Sequence, residues 1–279
     1  MSTAPIQTKT CTNKRFFEEL GGEQRLEMLL ISGSTFEMGS PPTEEGREFS
    51  EGPQHPVTVP TFFLGRYPVT QSQWEQVSQF KPVNSDVVLR ENPSRFSGRD
   101  DSRNRPVERV TWYESVEFCD RLSANTGRNY RLPSESEWEY ACRGGTTTPF
   151  YCGETITTEI ANYDGRRSYG RGPEGEYIRE TTPIDHFKMA NPFCLSDMHG
   201  NVWEWCLDHW HDSYNGAPAN GSAWTTGGRS YRRVVRGGSW YYDSRDCRSA
   251  SRSHSLPDTR DYTLGFRVVL APRSASPSR

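Results

Sequence analysis

Residues 236–269 read RGGSWYYDSRDCRSASRSHSLPDTRDYTLGFRVV, and this stretch decides the reading of the whole chain. It interleaves two kinds of position. Arg236, Gly237, Gly238, Ser239, Trp240, Cys247, Arg248, Ser249, Ala250, Gly265, Phe266 and Arg267 have the character of a frame. Between them lies a scatter of Tyr, Asp, Ser, His, Leu and Thr without a strand or helix period, so it is no core element. The pattern predicts a rigid scaffold holding side chains out to solvent, and such a surface suits binding. Tyr offers large contact area at low entropic cost, while Ser and Asp adapt their hydrogen bonds. Tyr241, Tyr242 and Tyr262 are the expected anchors, and Trp240 a buried support. Gly237 and Gly238 permit a turn closed to other residues. Arg236, Arg248 and Arg267 are expected to tie loops through carbonyls and carboxylates.

Composition sets the outer bounds. The 279 residues carry 33 Lys and Arg against 36 Asp and Glu, a net charge of −3. That balance points to neither nucleic acid nor an anionic membrane. Hydrophobic residues are only 33 %, yet 8 Trp, 13 Tyr and 13 Phe can build a core from few, large side chains. With 24 Gly and 19 Pro the fold should be rich in loops. Arg outnumbers Lys 29 to 4, which favours bidentate pairing inside the fold over a diffuse basic face. No run of about 18 apolar residues exists, so no membrane insertion is expected. The opening MSTAPIQTKTCTNKRFF lacks the apolar run of a secretory signal, which predicts a cytoplasmic location. Cys11, Cys119, Cys142, Cys152, Cys194, Cys206 and Cys247 form no CxxC pair and are expected to be reduced, mostly buried thiols.

Residues 1–24 carry few apolar positions and are expected to be a tail or leading segment, with a second tail at 273–279. LEMLLISGSTFEMGS from Leu26 reads as a hairpin closing on glycine. HPVTVPTFFLGRYPVT contains prolines and reads as one or two edge strands. TQSQWEQVSQF from Thr70 predicts a short helix with Trp74, Val77 and Phe80 on one face. TWYESVEFCDRLSANT from Thr111 is the strongest helix, with Glu114 completing a capping box and Gly127 closing it. RLPSESEWEYACRGG repeats that logic from Ser134. Residues 146–196 read as irregular and 211–230 as a loop. NVWEW, RRVVRGGSW and GFRVVL are the last strand candidates. One α+β domain over 25–272, with two main helices, short antiparallel strands and much loop, is the expected architecture.

Six segments in this order carry a resemblance: FEMGS, HPVTVPTFFLGRYPVTQSQW, RPVERVTWYESVEFC, YRLPSESEWEYACRGG, MHGNVWEW, and RGGSW with GFRVV. The chain resembles the formylglycine-generating-enzyme, or sulfatase-modifying-factor, superfamily from about residue 25 to 272. The resemblance implies a C-type-lectin-like fold. The enzymes of that superfamily use a cysteine pair shortly after RGGS to hold copper, because soft thiolates bind Cu(I). Here Tyr242 stands at the first position, and Cys247 is the one cysteine of the segment. Cys247 therefore reads as a small buried hydrophobe. His55, His186, His199, His209, His211 and His254 make no helical metal pair; His209 and His211 would share one face of a strand. Neither copper nor iron is expected.

Within the superfamily the last segment is most similar to variable proteins of diversity-generating retroelements, which implies a bacterial host. In those proteins a frame like RGGSW…CRSA…GFR holds residues rewritten at adenines. An AAC codon so rewritten never encodes Trp, Gln, Glu, Lys or Met. The candidate variable positions are Tyr241, Tyr242, Asp243, Ser244, Asp246, Ser251, Ser253, His254, Ser255, Leu256, Asp261, Tyr262, Thr263 and Leu264, and none is an excluded type. The resemblance also implies structural Ca²⁺, through the Asp197 and Glu204 side chains and the Gly200 and Val202 carbonyls. A second site would involve Asn162, the Tyr163 carbonyl and Glu176, in a stretch whose length departs from the enzymes. For Glu204 the competing expectation is a buried carboxylate paired with an Arg. The leading reading is a non-enzymatic protein whose varied surface binds a protein or other macromolecule. The alternatives are a formylglycine-generating or related metal-dependent oxidase, and a sensor module working beside signalling proteins.

Overall fold

The computed structural model describes residues 12–271; of the tails expected at 1–24 and 273–279, residues 1–11 and 273–279 lie outside them. The chain enters the fold earlier than its polar opening predicts. Strand β1 (Arg15–Gly21) pairs antiparallel with β2 (Gln24–Ile31). The strand is masked in the sequence because only Glu18 and Leu20 turn fully inward, and Glu18 accepts a hydrogen bond from the Tyr130 hydroxyl.

The hairpin expected over 26–40 does not form. After β2 the chain crosses to β3 (Ser34–Met38), which pairs with β4 (His55–Val59) in a separate two-stranded sheet. Gly33 makes this crossing possible: a Cβ there would meet the Val59–Thr61 backbone within 2.6 Å. Nor is the next strand an edge. β5 (Phe62–Gly65) lies inside a five-stranded sheet of order β1-β2-β5-β11-β6, built with β6 (Tyr130–Arg131) and β11 (Val269–Leu270). β7 (Trp203–Trp210), β8 (Arg229–Arg236), β9 (Arg252–Ser255) and β10 (Leu264–Gly265) form a four-stranded sheet of order β10-β7-β8-β9. The expected GFRVVL strand is thus divided between two sheets.

The helices follow their caps. In α1 (Gln71–Ser78), α2 (Trp112–Thr126) and α3 (Glu135–Arg143), the side chains of Thr70, Thr111 and Ser134 each accept from the third helical N–H. Gln73, Glu114 and Glu137 return the bond to the cap N–H. Such caps contribute about 1 kcal/mol each. Gly127 and Gly144 end α2 and α3 in left-handed conformation.

Two aromatic-rich cores hold these parts together. In one, Trp74 stacks on Phe118 at 5.7 Å, and both meet Phe266 edge-on. The other gathers Trp138, Trp210, Tyr214, Met38 of β3 and the β4, β8 and β11 valines. Each such side chain contributes roughly 1.5–3 kcal/mol by leaving water, which compensates for their small number. Residues 146–202 contain no helix or strand. Cys194 is disulfide-bonded, which corrects the expectation of wholly reduced cysteines, whereas Cys119, Cys142, Cys206 and Cys247 are free and buried and Cys152 is free and exposed. Among the described residues no helix is long and apolar enough to cross a membrane.

Candidate binding face

The segment after β8 is fixed by its arginines. Arg236 is fully buried and bonds Glu139 and the carbonyls of Ser249 and Ser251. Arg248 grips Glu51 at 2.6 and 2.8 Å and Glu44 at 2.6 Å. Arg267 forks onto Glu204 at 2.6 and 2.7 Å and reaches the Gly65, Arg66, Ser196 and Asp197 carbonyls. All three are buried, and the Arg248–Glu51 and Arg267–Glu204 pairs are bidentate, a geometry that fixes loops as well as charge. Gly237 and Gly238 turn the chain at φ +99° and +72°; a Cβ would strike Trp138 at one and Cys247 at the other.

That turn sets Trp240 at the centre of an aromatic cluster. Tyr241 lies 5.5 Å from it, Tyr262 5.6 Å, Phe96 5.6 Å and Tyr177 6.2 Å. Tyr242 meets Tyr241 at 5.7 Å and Trp203 at 5.7 Å. Trp240 itself is 5 % exposed, its indole N–H donating to the Tyr262 carbonyl, while Tyr241 is 49 % and Tyr242 41 % exposed. Tyr241 and Tyr262 therefore pack on the expected support, and Tyr242 joins it through Tyr241. Loops distant in sequence complete the face. Arg95 lies over Tyr262 at 4.9 Å, and Arg166 and Arg179 over Tyr177 at 4.6 and 5.4 Å. The Asp164 N–H donates to the Tyr242 carbonyl, which fastens the 161–166 loop beside the anchors. No pattern in the irregular 81–106 and 146–196 stretches marks Arg95, Phe96, Tyr177 or Arg179; only the fold assembles them.

The fourteen candidate positions do not share one fate. Ser244, Ser251, Thr263 and Leu264 are buried and belong with the frame. Ser244 opens a 3₁₀ turn, Ser244–Cys247, that packs inward. The Ser251 carbonyl is held by Arg236 and Thr263 binds Asp261, while Leu264 sits in β10 against β7. The other ten reach solvent in two patches. Tyr241, Tyr242, Asp243, Asp246, Asp261 and Tyr262 surround Trp240 or adjoin it. Burial and the nearby Asp243 push the Asp246 carboxyl up to about 6. Ser253, His254 and Ser255 lie on β9, the far edge of the four-stranded sheet, followed by Leu256. Three strand spacings, roughly 14 Å, separate β9 from β10. His254 packs on Trp210 at 4.5 Å and accepts from Arg232; burial and that guanidinium hold its pKa below the ordinary value. The 256–261 loop is pinned over the start of α2, where Arg260 forks onto Glu114.

The residues do not fit a copper-thiolate centre. Cys247 is fully buried behind Gly238, and burial pushes its thiol well above the usual range. Cys142 lies 3.7 Å from His199, but burial raises Cys142 to about 12 and lowers His199 to about 4. Both are neutral near pH 7, so no thiolate–imidazolium nucleophile is poised there. His209 and His211 both meet backbone carbonyls, and His211 stacks on Trp224 at 3.4 Å. Among the described residues no group of three or more His, Cys, Asp or Glu is placed to hold a metal ion.

The calcium set fits at one end only. Glu204, expected as a ligand, has both oxygens on Arg267 and one also on Trp138, so a guanidinium stands where the cation was expected. Asp197 is different. Its Oδ2 is buried without a partner, and burial raises its carboxyl to about 7. Asn162 leaves a buried Oδ1 unpartnered, and its carbonyl accepts from the Asn201 N–H, one residue from Gly200. The Val202 carbonyl shares that turn before β7. In the second set Tyr163 is buried and Glu176 is exposed, its N–H bound by Thr158.

Known proteins share this architecture. Residues 15–272 match the sulfatase-modifying factor enzyme 1-like domain. The serine/threonine-protein kinase pkn1 of Chlamydia pneumoniae is 33 % identical over 87 % of this chain, which spans 38 % of the kinase's length. An inactive C-alpha-formylglycine-generating enzyme 2 of Bos taurus is 28 % identical over 96 % of each chain. Among solved structures, PvdO from Pseudomonas aeruginosa aligns with TM-score 0.76 and 29 % identity over 94 % of this chain and all of its own. Treponema denticola variable protein 1 aligns over the same shares at TM-score 0.72 and 24 % identity. With the fold, the ordered motifs and this match over nearly the whole described chain, the protein belongs to the sulfatase-modifying-factor, or formylglycine-generating-enzyme-like, family of C-type-lectin-like folds.

Proposed function

We propose that this chain is a non-enzymatic binding domain whose Trp240 face meets a macromolecular ligand and whose exposed positions are diversified. One observation carries the reading. The segment that holds catalytic cysteines in the family's enzymes here presents Tyr241 and Tyr242 to solvent and seals Cys247 beneath a glycine turn. Rigid aromatic anchors on a fixed scaffold are what a binding face needs, because little side-chain entropy is lost on contact. The relatives include enzymes and an inactive enzyme homologue, so the family alone does not decide the matter. The fold shared with a variable protein is compatible with the reading.

The kinase relatives favour a second reading of the same face. The domain would serve as the ligand-sensing part of a signalling protein, with the kinase activity residing elsewhere. A cation at Asp197 and the Gly200 and Val202 carbonyls would be structural in either case. The Cys194 disulfide belongs to the chemistry of an oxidising compartment and weighs against the expected cytoplasmic location.

Resequencing the 3′ end of the gene from many cells of one strain tests the proposal. Variation should appear at codons 241, 242, 243, 246, 253–256, 261 and 262. It should spare Trp240, Ser244, Cys247, Ser251, Thr263, Leu264 and Gly265. A nearby reverse-transcriptase gene and template repeat would accompany it. An invariant segment would overturn diversification and leave a fixed-ligand domain.

A further inference from the structure

We propose that the Trp240 face takes an acidic segment of a partner protein, gripped by Arg95 and Arg179; this deepens the binding-face reading and rests on it. The two arginines come from loops outside residues 236–269, so they are constant whatever stands at 241, 242 or 262. Both are exposed, and each lies over a tyrosine next to Trp240. Other arginines nearby are already neutralised: Arg166 by Asp164 at 2.6 Å, Arg245 by Asp243 at 2.7 Å and Arg99 by Glu180 at 2.9 Å. Among the described residues no carboxylate lies within ion-pair distance of Arg95 or Arg179. Cation–π contact with the rings favours these positions for their planar forks, ready for a bidentate carboxylate.

The same geometry argues against other ligands. The faces of Tyr262 and Tyr177 are already covered by guanidinium groups, so a cationic ligand would meet repulsion where an aromatic cage would attract it. A polyanion such as single-stranded nucleic acid would have to cross the whole face. Beyond Tyr242 it would meet the Asp246 and Asp261 carboxylates, which act on that tyrosine. A peptide carrying acid at one end alone satisfies both ends. The aromatic centre between them would contact its apolar or aromatic side chains.

A displayed library of short random peptides, selected on the full chain, tests this. The enriched peptides should carry Asp or Glu. The charge-reversed variant R95E/R179E should bind them about tenfold or more weakly while melting like the parent. The Y241A/Y262A variant should lose them as well. Three results would overturn the inference: no enriched peptides, enriched peptides without acid, or acidic peptides bound equally by the charge-reversed chain. Loss in Y241A/Y262A with full binding by R95E/R179E would leave the binding face standing and remove the acidic segment. Indifference to both variants would remove both. An oligothymidylate bound more tightly than any selected peptide, and lost on charge reversal, would assign the face to nucleic acid instead.

Discussion

Arginine serves two opposite purposes, one in the frame of residues 236–269 and one on the Trp240 face. Arg236, Arg248 and Arg267 lie beneath the face, 0–1 % exposed, each locked to buried carboxylates. Arg95 and Arg179 lie on it, exposed and placed over tyrosines, with no carboxylate partner among the described residues. A buried guanidinium is tolerable only when paired, because its desolvation exceeds what an imperfect partner returns. An exposed one retains its water and gives little to stability, but it can exchange that water for a ligand's carboxylate. The contrast explains how one segment can be both a rigid frame and a display surface.

The largest effect should follow from breaking the buried side. Arg248→Ala leaves Glu44 and Glu51 buried without their cation, and should destabilise by about 3–5 kcal/mol in denaturant unfolding. A small loss would mean that the frame does not depend on its ion pairs. Next comes Glu108, which underlies the Arg95 loop: one oxygen accepts from the Phe96 N–H and the other is buried without a partner. Burial raises its carboxyl from 4.5 to about 7. The folded state therefore holds the proton more tightly than the unfolded one, and this group's contribution to stability falls as pH rises from about 4.5 to 7. Glu108→Gln should gain roughly 1–3 kcal/mol relative to the parent at pH 8 and nothing at pH 4, as read by melting across pH. An equal effect at both pH values would contradict the shift. Smaller still is calcium. With sub-millimolar affinity at Asp197, millimolar Ca²⁺ should raise stability by about 1 kcal/mol, and Asp197→Asn should abolish the gain. No calcium effect would leave Arg267 as the only cation the turn requires. Smallest is Arg95→Ala, expected within about 0.5 kcal/mol of the parent. A large loss there would erase the distinction between face and frame.

Much of this was legible before folding. The three helices were marked by Thr70, Thr111 and Ser134, because a cap is a local contract between residues three apart. The frame arginines were legible because they belong to the RGGSW, CRSA and GFR motifs. β1 escaped notice because its outward side chains are charged. The hairpin at 26–40 was misread because Gly33 permits a crossing as readily as a turn, and the choice depends on residues 59–61. Ser244, Ser251, Thr263 and Leu264 were grouped with the display positions because short turns, loops and two-residue strands leave no period to read. Arg95, Phe96, Tyr177 and Arg179 were invisible as face residues, since their role exists only once loops about 60 to 145 positions away meet the Trp240 face. Glu204 carried two readings, and its pairing with Arg267 and Trp138 rests on contacts the sequence cannot specify.

Saturation mutagenesis of residues 236–269, read as the yield of folded protein at every position, tests the central claim most directly. Tyr241, Tyr242, Ser253, Ser255, Leu256 and Tyr262 should accept most residues. Arg236, Gly237, Gly238, Trp240, Arg248, Thr263, Leu264 and Arg267 should accept almost none. Uniform tolerance, or tyrosines as fixed as the arginines beneath them, would contradict a display surface held on a rigid frame.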